Sequence, residues 1–263
     1  MKRLLVFMMI LFPVLCLAQQ DSMVVNVRGV DFVMMKIPTG VYEHVNYYGD
    51  TMTKEGWLHP IDSMGKKDGT STIYLDAFYI GKFEVTQKLY YAVMKDNPSY
   101  WKKNKCPVNN ITWYEACTFI DSLNHLTGMT FRLPTEMEWE YAASGGLDTK
   151  FSGSDVLEAV AWTANDGYPF TFPVGMKSPN AFGLYDMSGN VSEWCSDWLS
   201  TTYYKNKGSY KAPHGPKSGI FKITKGGGWG NHATRYYDYR NRVGRRPDYK
   251  GGGTGFRLAM DAD

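Results

Sequence analysis

Hydrophobic positions alternate with polar ones from Val24 to Tyr42, where Val, Phe and Ile recur among Asn, Arg, Asp and Lys. A period of two predicts strands, and Pro38-Thr39-Gly40 predicts a turn inside the run. Tyr47 to Gly69 is polar and rich in Gly, Lys and Asp, which predicts a long loop. Ile73 to Ile80 returns to a strand pattern. The period then becomes helical. Thr86 is placed to N-cap a helix over Gln87 to Met94, which Asn97-Pro98-Ser99 ends. Trp113 to Leu126 carries Phe119, Ile120 and Leu123 at helical spacing, with Gly128 as a stop. Pro134 to Ala143 predicts another helix, with Thr135 as N-cap and Glu138 completing a capping box. From Ser144 onward no long periodic segment occurs, and glycines, prolines and aromatics dominate. Residues 24–263 contain no repeat, low-complexity linker or clear boundary, so one domain is expected.

The first residues follow a different pattern. Lys2 and Arg3 precede an apolar run from Leu4 to Leu17, and Cys16-Leu17-Ala18 puts small residues where a signal peptidase reads. Residues 1–18 are therefore expected to be a signal peptide, with mature protein beginning at Gln19 and no transmembrane segment after cleavage. The expected location is the periplasm, the cell surface or the medium. A membrane anchor is the first alternative, opposed by the short run and by Pro13. A lipid-modified Cys16 is the second, opposed by Leu15, a poor fit to the usual small residue.

Composition changes the picture in three ways. Aromatics reach 15%, including 8 Trp and 19 Tyr, which suits a domain of little regular structure held by ring packing. A net charge of +3 is too small to indicate nucleic acid or an anionic membrane surface. Beyond the leader only Cys106, Cys117 and Cys195 remain, so at most one internal disulfide forms. Cys195 reads first as a buried small apolar residue, with pairing to Cys106 or Cys117 in an oxidising compartment as the alternative, and the sequence does not choose. The 5 histidines are scattered, which argues against zinc.

The densest stretch runs from Asn180 to Trp194, where Gly, Asn and acidic residues interleave with Phe, Leu, Tyr, Met, Val and Trp. That mixture predicts irregular backbone packed into a core, whose carbonyls need partners. A bound cation is one such partner. The stretch resembles the signature of the formylglycine-generating (sulfatase-modifying factor) family. Phe78 to Thr86, Asn97-Pro98-Ser99, Pro107-Val108, Ile111-Thr112-Trp113, Arg132 to Ala143, Pro173-Val174-Gly175, Lys225 to Trp229 and Gly255-Phe256-Arg257-Leu258 follow in the order of that family. The resemblance implies an α+β fold: compact, loop-rich and C-type-lectin-like, with little regular secondary structure.

It also implies specific chemistry. Oxidase members of the family bind copper through two cysteines after a Gly-Gly-Ser-aromatic element. In this chain the element is Gly226-Gly227-Gly228-Trp229, the cysteine positions are Asn231 and Tyr236, the active-site serine position is Gly228, and the tryptophan of Asn-x-Trp-Glu-Trp is Ser192. An amide and a phenol do not replace soft thiolates, and no cysteine follows Cys195, so copper is not expected. Asp186, Gly189, Val191 and Glu193 match one calcium site of the family, two carboxylates and two main-chain carbonyls, with a solvated turn as the alternative. Asn165 and Asp166 are the side-chain candidates for a second. Arg132, Glu136 and Glu140 are expected to complete buried hydrogen-bond networks.

The family's substrate groove corresponds to His232 to Tyr249. The candidate ligand-binding residues are His232, Arg235, Tyr236, Tyr237, Tyr239, Arg242 and Arg245, types that interfaces favour. The alternative is that they pack internally. The expected function is an exported, non-catalytic domain binding a protein or peptide, such as a cell-envelope component. The runner-up is a formylglycine-generating-type oxidase, or another enzyme, with a non-cysteine site in the same groove.

Overall fold

The computed structural model describes residues 21–47, 67–167, 170–204 and 208–262. The expected signal peptide and most of the Tyr47–Gly69 loop lie outside the described residues.

The Val24 to Tyr42 pattern becomes three strands, β1 (Ser22–Val27), β2 (Val30–Ile37) and β3 (Gly40–Tyr47). On β1, Val25 and Val27 face the core while Val24 and Asn26 face solvent. Arg28 and Gly29, both at positive φ, turn β1 into β2 as a two-residue hairpin. The expected single strand from Ile73 to Ile80 is two, β4 (Lys67–Leu75) and β5 (Phe78–Gly81). The chain changes sheet between them, because β4 pairs with β3 and β5 pairs with β2.

Later strands are short: β6 (Ser192–Trp198), β7 (Ser209–Lys211), β8 (Lys222–Lys225), β9 (Val243–Arg245), β10 (Thr254–Gly255) and β11 (Ala259–Asp261). The sheets have the orders β1-β2-β5-β11, β10-β6-β8-β9 and β3-β4-β7. β6 runs parallel to β10 and antiparallel to β8. It carries no alternation because Ser192, Glu193, Trp194 and Cys195 are all buried.

The three longer helices fall where periodicity and caps put them. α1 (Gln87–Met94) is capped by Thr86, and α2 (Trp113–Thr127) ends at Gly128 in the left-handed conformation. α3 (Glu136–Ser144) has the expected Thr135–Glu138 capping box, and every one of its residues is buried. A one-turn helix, α4 (Leu157–Val160), follows. One core packs Trp139, Met137, Leu184, Met187 and Ile223 under α3, and a second packs Phe119, Leu123, Trp194 and Phe256 under α2. Cys106, Cys117 and Cys195 are free thiols.

Burying a helix that contains three glutamates requires a partner for each. Glu138 pairs with Arg132, with contacts of 2.6 and 2.7 Å. Glu140 accepts from Lys225 Nζ at 2.7 Å and Tyr42 Oη at 2.9 Å, with His44 Nδ1 at 2.9 Å. Burial opposes its charge, but Lys225 and His44 outweigh burial and bring Glu140 down to about 2. Glu136 lies 3.1 Å from Arg242 Nε, and its backbone N–H donates to Asp197 Oδ2 at 2.9 Å. These contacts place Arg132, Glu136 and Glu140 in the framework.

Burial, reinforced by the neighbouring charge of Glu136, raises Asp197 from 3.8 to about 7. An acid whose pKa is raised on folding stabilises the fold fully only below its unfolded value. That stability is lost as pH rises through the folded value, so the window runs from about pH 4 to about pH 7. Asp197→Asn removes the titration while keeping an oxygen that can accept from Glu136 N–H. Melting temperature is expected to fall across this window more steeply for the natural chain than for Asp197→Asn. Parallel curves would mean that Asp197 is ionised in the fold throughout.

Candidate functional site

The turn preceding β6 is fixed by side chains that replace a backbone ladder. Asn180 donates to Ala142 O at 2.8 Å and to Ser152 Oγ at 3.0 Å, and it accepts from the N–H groups of Phe182 and Leu184. Asp186, Gly189 and Asn190 adopt left-handed φ values of 58°, 89° and 58°. At Gly189 a Cβ would lie 2.5 Å from Trp162 O, so both conformation and space require glycine. Asn190 bridges Glu84 and Phe172, and Val191 N–H donates to Glu84 Oε1 at 3.0 Å.

The four calcium candidates lie on this turn and at the start of β6, and their two carboxylates differ in freedom. Glu193 accepts from Arg257 Nε at 2.5 Å, Arg257 Nη2 at 2.6 Å and Trp139 Nε1 at 2.7 Å. Asp186 accepts from Gly175 N–H at 2.7 Å through Oδ2, while its buried Oδ1 has no hydrogen-bond partner. Burial is the chief cause that raises Asp186 to about 6, held back by Gly175 N–H and Arg257. Burial also raises Glu84 well above the carboxylate range, with Asp186 and Glu193 adding to it. Among the described residues no three His, Cys, Asp or Glu side chains are grouped to hold a metal. Of the two candidate carboxylates, Asp186 keeps one oxygen open to a hard cation, whereas Glu193 does not fit one, because Arg257 already supplies the positive charge there. At the second candidate, Asp166 accepts from Thr163 and caps a 3-10 turn.

The neighbouring Gly226–Tyr249 segment is anchored to this turn. Gly189 N–H donates to Gly226 O, and Trp229 N–H donates to Asn190 O. Asn231 Oδ1 accepts from Gly228 N–H at 2.7 Å, closing a tight turn. A Cβ at Gly228 would lie 2.6 Å from Gly253 O and 3.3 Å from Ser192 N, because the Gly253 peptide packs directly on it.

The seven ligand-binding candidates divide. Tyr237 and Tyr239, at 1% and 2% exposure, are core residues, which corrects their expected place on a binding surface. The Tyr237 hydroxyl donates to Gly228 O and Asn231 O, and Tyr239 packs in the core under α3. Arg242 is framework, through Glu136 and a 3.0 Å bond to Ser200 O. His232 is exposed and Arg235, Tyr236 and Arg245 are half-buried. Arg235 lies 5.3 Å from the Tyr236 ring centroid, and Arg245 lies 4.5 Å from that of Tyr249.

The sequence reading missed the segment beside this surface. Tyr100 and Trp101 are 61% and 38% exposed, and the Trp101 and Trp229 ring centroids are 6.0 Å apart. Two adjacent aromatics followed by Lys102, Lys103 and Lys105 in a non-periodic stretch were the available signal.

Residues 34–262 match the Sulfatase-modifying factor enzyme 1-like domain. The chain belongs to this family. Over 174 residues it is 37% identical to the formylglycine-generating enzyme of Streptomyces coelicolor, covering 60% of this chain and 53% of the enzyme. It thus spans about half of that relative. It is 35% identical over 210 residues to the chaperone protein LppX of Paenibacillus barcinonensis, covering 60% and 71% of the two chains. Treponema denticola variable protein 1 superposes with a TM-score of 0.80 at 29% identity, over 92% of this chain and 99% of that one. PvdO from Pseudomonas aeruginosa, with a TM-score of 0.70 at 23% identity over 88% and 94%, shares the fold. The α+β, loop-rich, C-type-lectin-like architecture is thus that of the sulfatase-modifying factor family.

In this member the Glu193–Arg257 pair carries a clear test. Arg257→Met leaves a buried carboxylate without its counter-charge, which costs about 3–5 kcal/mol. Arg257→Lys should recover little, because an ammonium cannot span both Glu193 oxygens and the carbonyls of Gly81 and Tyr185. Urea midpoints should place Arg257→Lys nearer to Arg257→Met than to the natural chain, and adding Glu193→Met to Arg257→Met should restore part of the loss. A double variant no more stable than Arg257→Met would refute the charge argument.

Proposed function

We propose that this chain is an exported, non-catalytic member of the sulfatase-modifying factor family that holds a protein or peptide ligand, a cell-envelope component, on its C-terminal face. The observation that carries the reading is the use made of Asn231. At the first position where oxidase relatives place a copper-binding cysteine, its side chain closes the Gly228 turn. Gly228, at the serine position, has no room for a Cβ against Gly253 O. Tyr236, at the second cysteine position, supports an arginine instead of a thiolate site. His232 and the Arg235–Tyr236 pair offer planar, hydrogen-bonding contact area suited to a polypeptide. A relative named as a chaperone protein supports a polypeptide as the ligand class. Export rests on the order of charged, apolar and small residues in Met1 to Ala18.

Purified protein incubated with copper(I) and a sulfatase-type cysteine peptide is expected to form no formylglycine and to retain no stoichiometric copper. Either product would establish the oxidase alternative. Capture from the cell envelope should yield a polypeptide that the Arg235→Ala, Tyr236→Ala double variant no longer retains. Equal capture by that variant would remove the C-terminal face from the reading.

A structural calcium ion belongs to the same reading and rests on Asp186 Oδ1, the buried oxygen without a partner. Binding only the folded state at a hundredfold excess over Kd adds about 2.7 kcal/mol. Chelator should then lower the melting temperature by several degrees, and Asp186→Asn should abolish most of that response. Identical melting with calcium and with chelator would leave Arg257 as the sole cation at this turn.

A further inference from the structure

The Tyr100–Lys105 segment has a feature that packing does not explain. Its side chains are exposed from end to end, and its backbone is tightly held. Gln87, fully buried at the start of α1, donates to Trp101 O at 3.0 Å and accepts from Lys103 N–H at 2.8 Å. Tyr100 N–H donates to Asn109 Oδ1, and Lys88 N–H donates to Asn104 O. A floppy solvated loop needs no buried amide to fix it. Fixing the backbone in advance removes ordering cost from a binding event.

The exposed groups form one patch. Trp101 sits between Tyr100, Phe170 and Trp229, with ring centroids at 5.9, 6.1 and 6.0 Å. The ring planes meet Trp101 at 56°, 55° and 82°. Such angled rings leave wedges between them, which accept side-chain knobs. A row of sugar rings would need faces lying in one plane. The patch continues into the C-terminal face, because Trp229 Nε1 donates to Gly252 O and a Cβ at Gly252 would lie 2.8 Å from the Tyr100 ring. Lys102, Lys103 and Lys105 follow Trp101 with exposed side chains, the Lys102 ammonium donating to Asn97 O, and the segment contains no acidic residue. Lys103 Nζ lies 3.7 Å from the Phe170 centroid. Exposed aromatic surface rimmed by one sign of charge marks an interaction site.

We propose that the Tyr100–Lys105 shelf, together with Trp229, docks an acidic, aromatic-bearing segment of a polypeptide partner. Aromatic side chains of the partner enter the wedges around Trp101, and its carboxylates meet the three lysines. This rests on the protein-binding reading above and adds the chemistry of the partner and a docking edge outside the Tyr/Arg segment.

The probe is a fluorescein-labelled copolymer of glutamate and tyrosine, followed by anisotropy with the full mature chain. A lysine–tyrosine copolymer and polygalacturonate are the comparisons. The glutamate–tyrosine polymer should bind, more weakly as salt rises. Trp101→Ala and the Lys102→Glu, Lys103→Glu double variant should each weaken it roughly tenfold or more. Both change exposed side chains, and unchanged melting curves would show that they fold. No binding of the acidic polymer, equal binding of the lysine polymer, or unaltered affinity in both variants would overturn the proposal. Polygalacturonate bound as tightly, with the same loss in Trp101→Ala, would overturn it in favour of an acidic glycan. Failure here alongside envelope capture that still depends on Arg235 and Tyr236 would remove only the shelf. Failure of both would remove the protein-binding reading as well.

Discussion

A single guanidinium organises the centre of this molecule. Arg257 holds both oxygens of Glu193 and also donates to the carbonyls of Gly81 and Tyr185. These groups belong to the end of β5, to the turn before β6 and to β6 itself. The same carboxylate accepts from Trp139 of α3. Elements with few shared backbone ladders are thereby joined at one buried point. Low local dielectric makes each of these bonds strong when complete and expensive when broken. Glu84 and Asp186, drawn close to this centre, are pushed toward their neutral forms chiefly by burial, with the charge of Glu193 adding to it and Arg257 opposing it.

The same logic extends outward through α3. Its residues are buried on every side, so its glutamates cannot reach water and must each find a partner. Arg132, Arg242, and Lys225 with His44 meet Glu138, Glu136 and Glu140 in turn. Buried ion pairs of this kind contribute less to net stability than to defining one arrangement of the helix against β6 and β8. The rigid framework leaves the loops between β8 and β11 to be shaped by turn chemistry. Asn231 closes the Gly228 turn, Tyr237 reaches under it, and the Gly253 peptide packs against it. Between β8 and β9 the chain therefore forms a packed turn beside an aromatic surface.

That surface gains its order from behind. Gln87 fixes the Tyr100–Lys105 backbone, and Gly252 permits the Tyr100 ring to lie against the C-terminal loop. Exposed rings and lysines are therefore displayed in set positions. The molecule separates a buried polar scaffold, which defines the fold, from a face whose chemistry can vary at little cost to stability.

Local chemistry alone determined the helices, because caps and stops act over a few residues. Thr86, the Thr135–Glu138 box and Gly128 lie at the ends that the sequence indicated. The ordered motifs from Phe78 to Leu258 likewise carried the family, since they supply the glycines, prolines and asparagines that irregular backbone requires. Sequence could not divide Ile73–Ile80 between two sheets, because strand partners lie far along the chain. β6 was invisible for a related reason: burial on both faces erases the alternation by which a strand is read. At the candidate site, residue type suggested seven binding side chains, and only packing could turn Tyr237 and Tyr239 inward and tie Arg242 to Glu136. It was also tertiary structure that set Trp101 beside Trp229, since ring contact across more than a hundred residues depends on how sheets and loops close around Arg257.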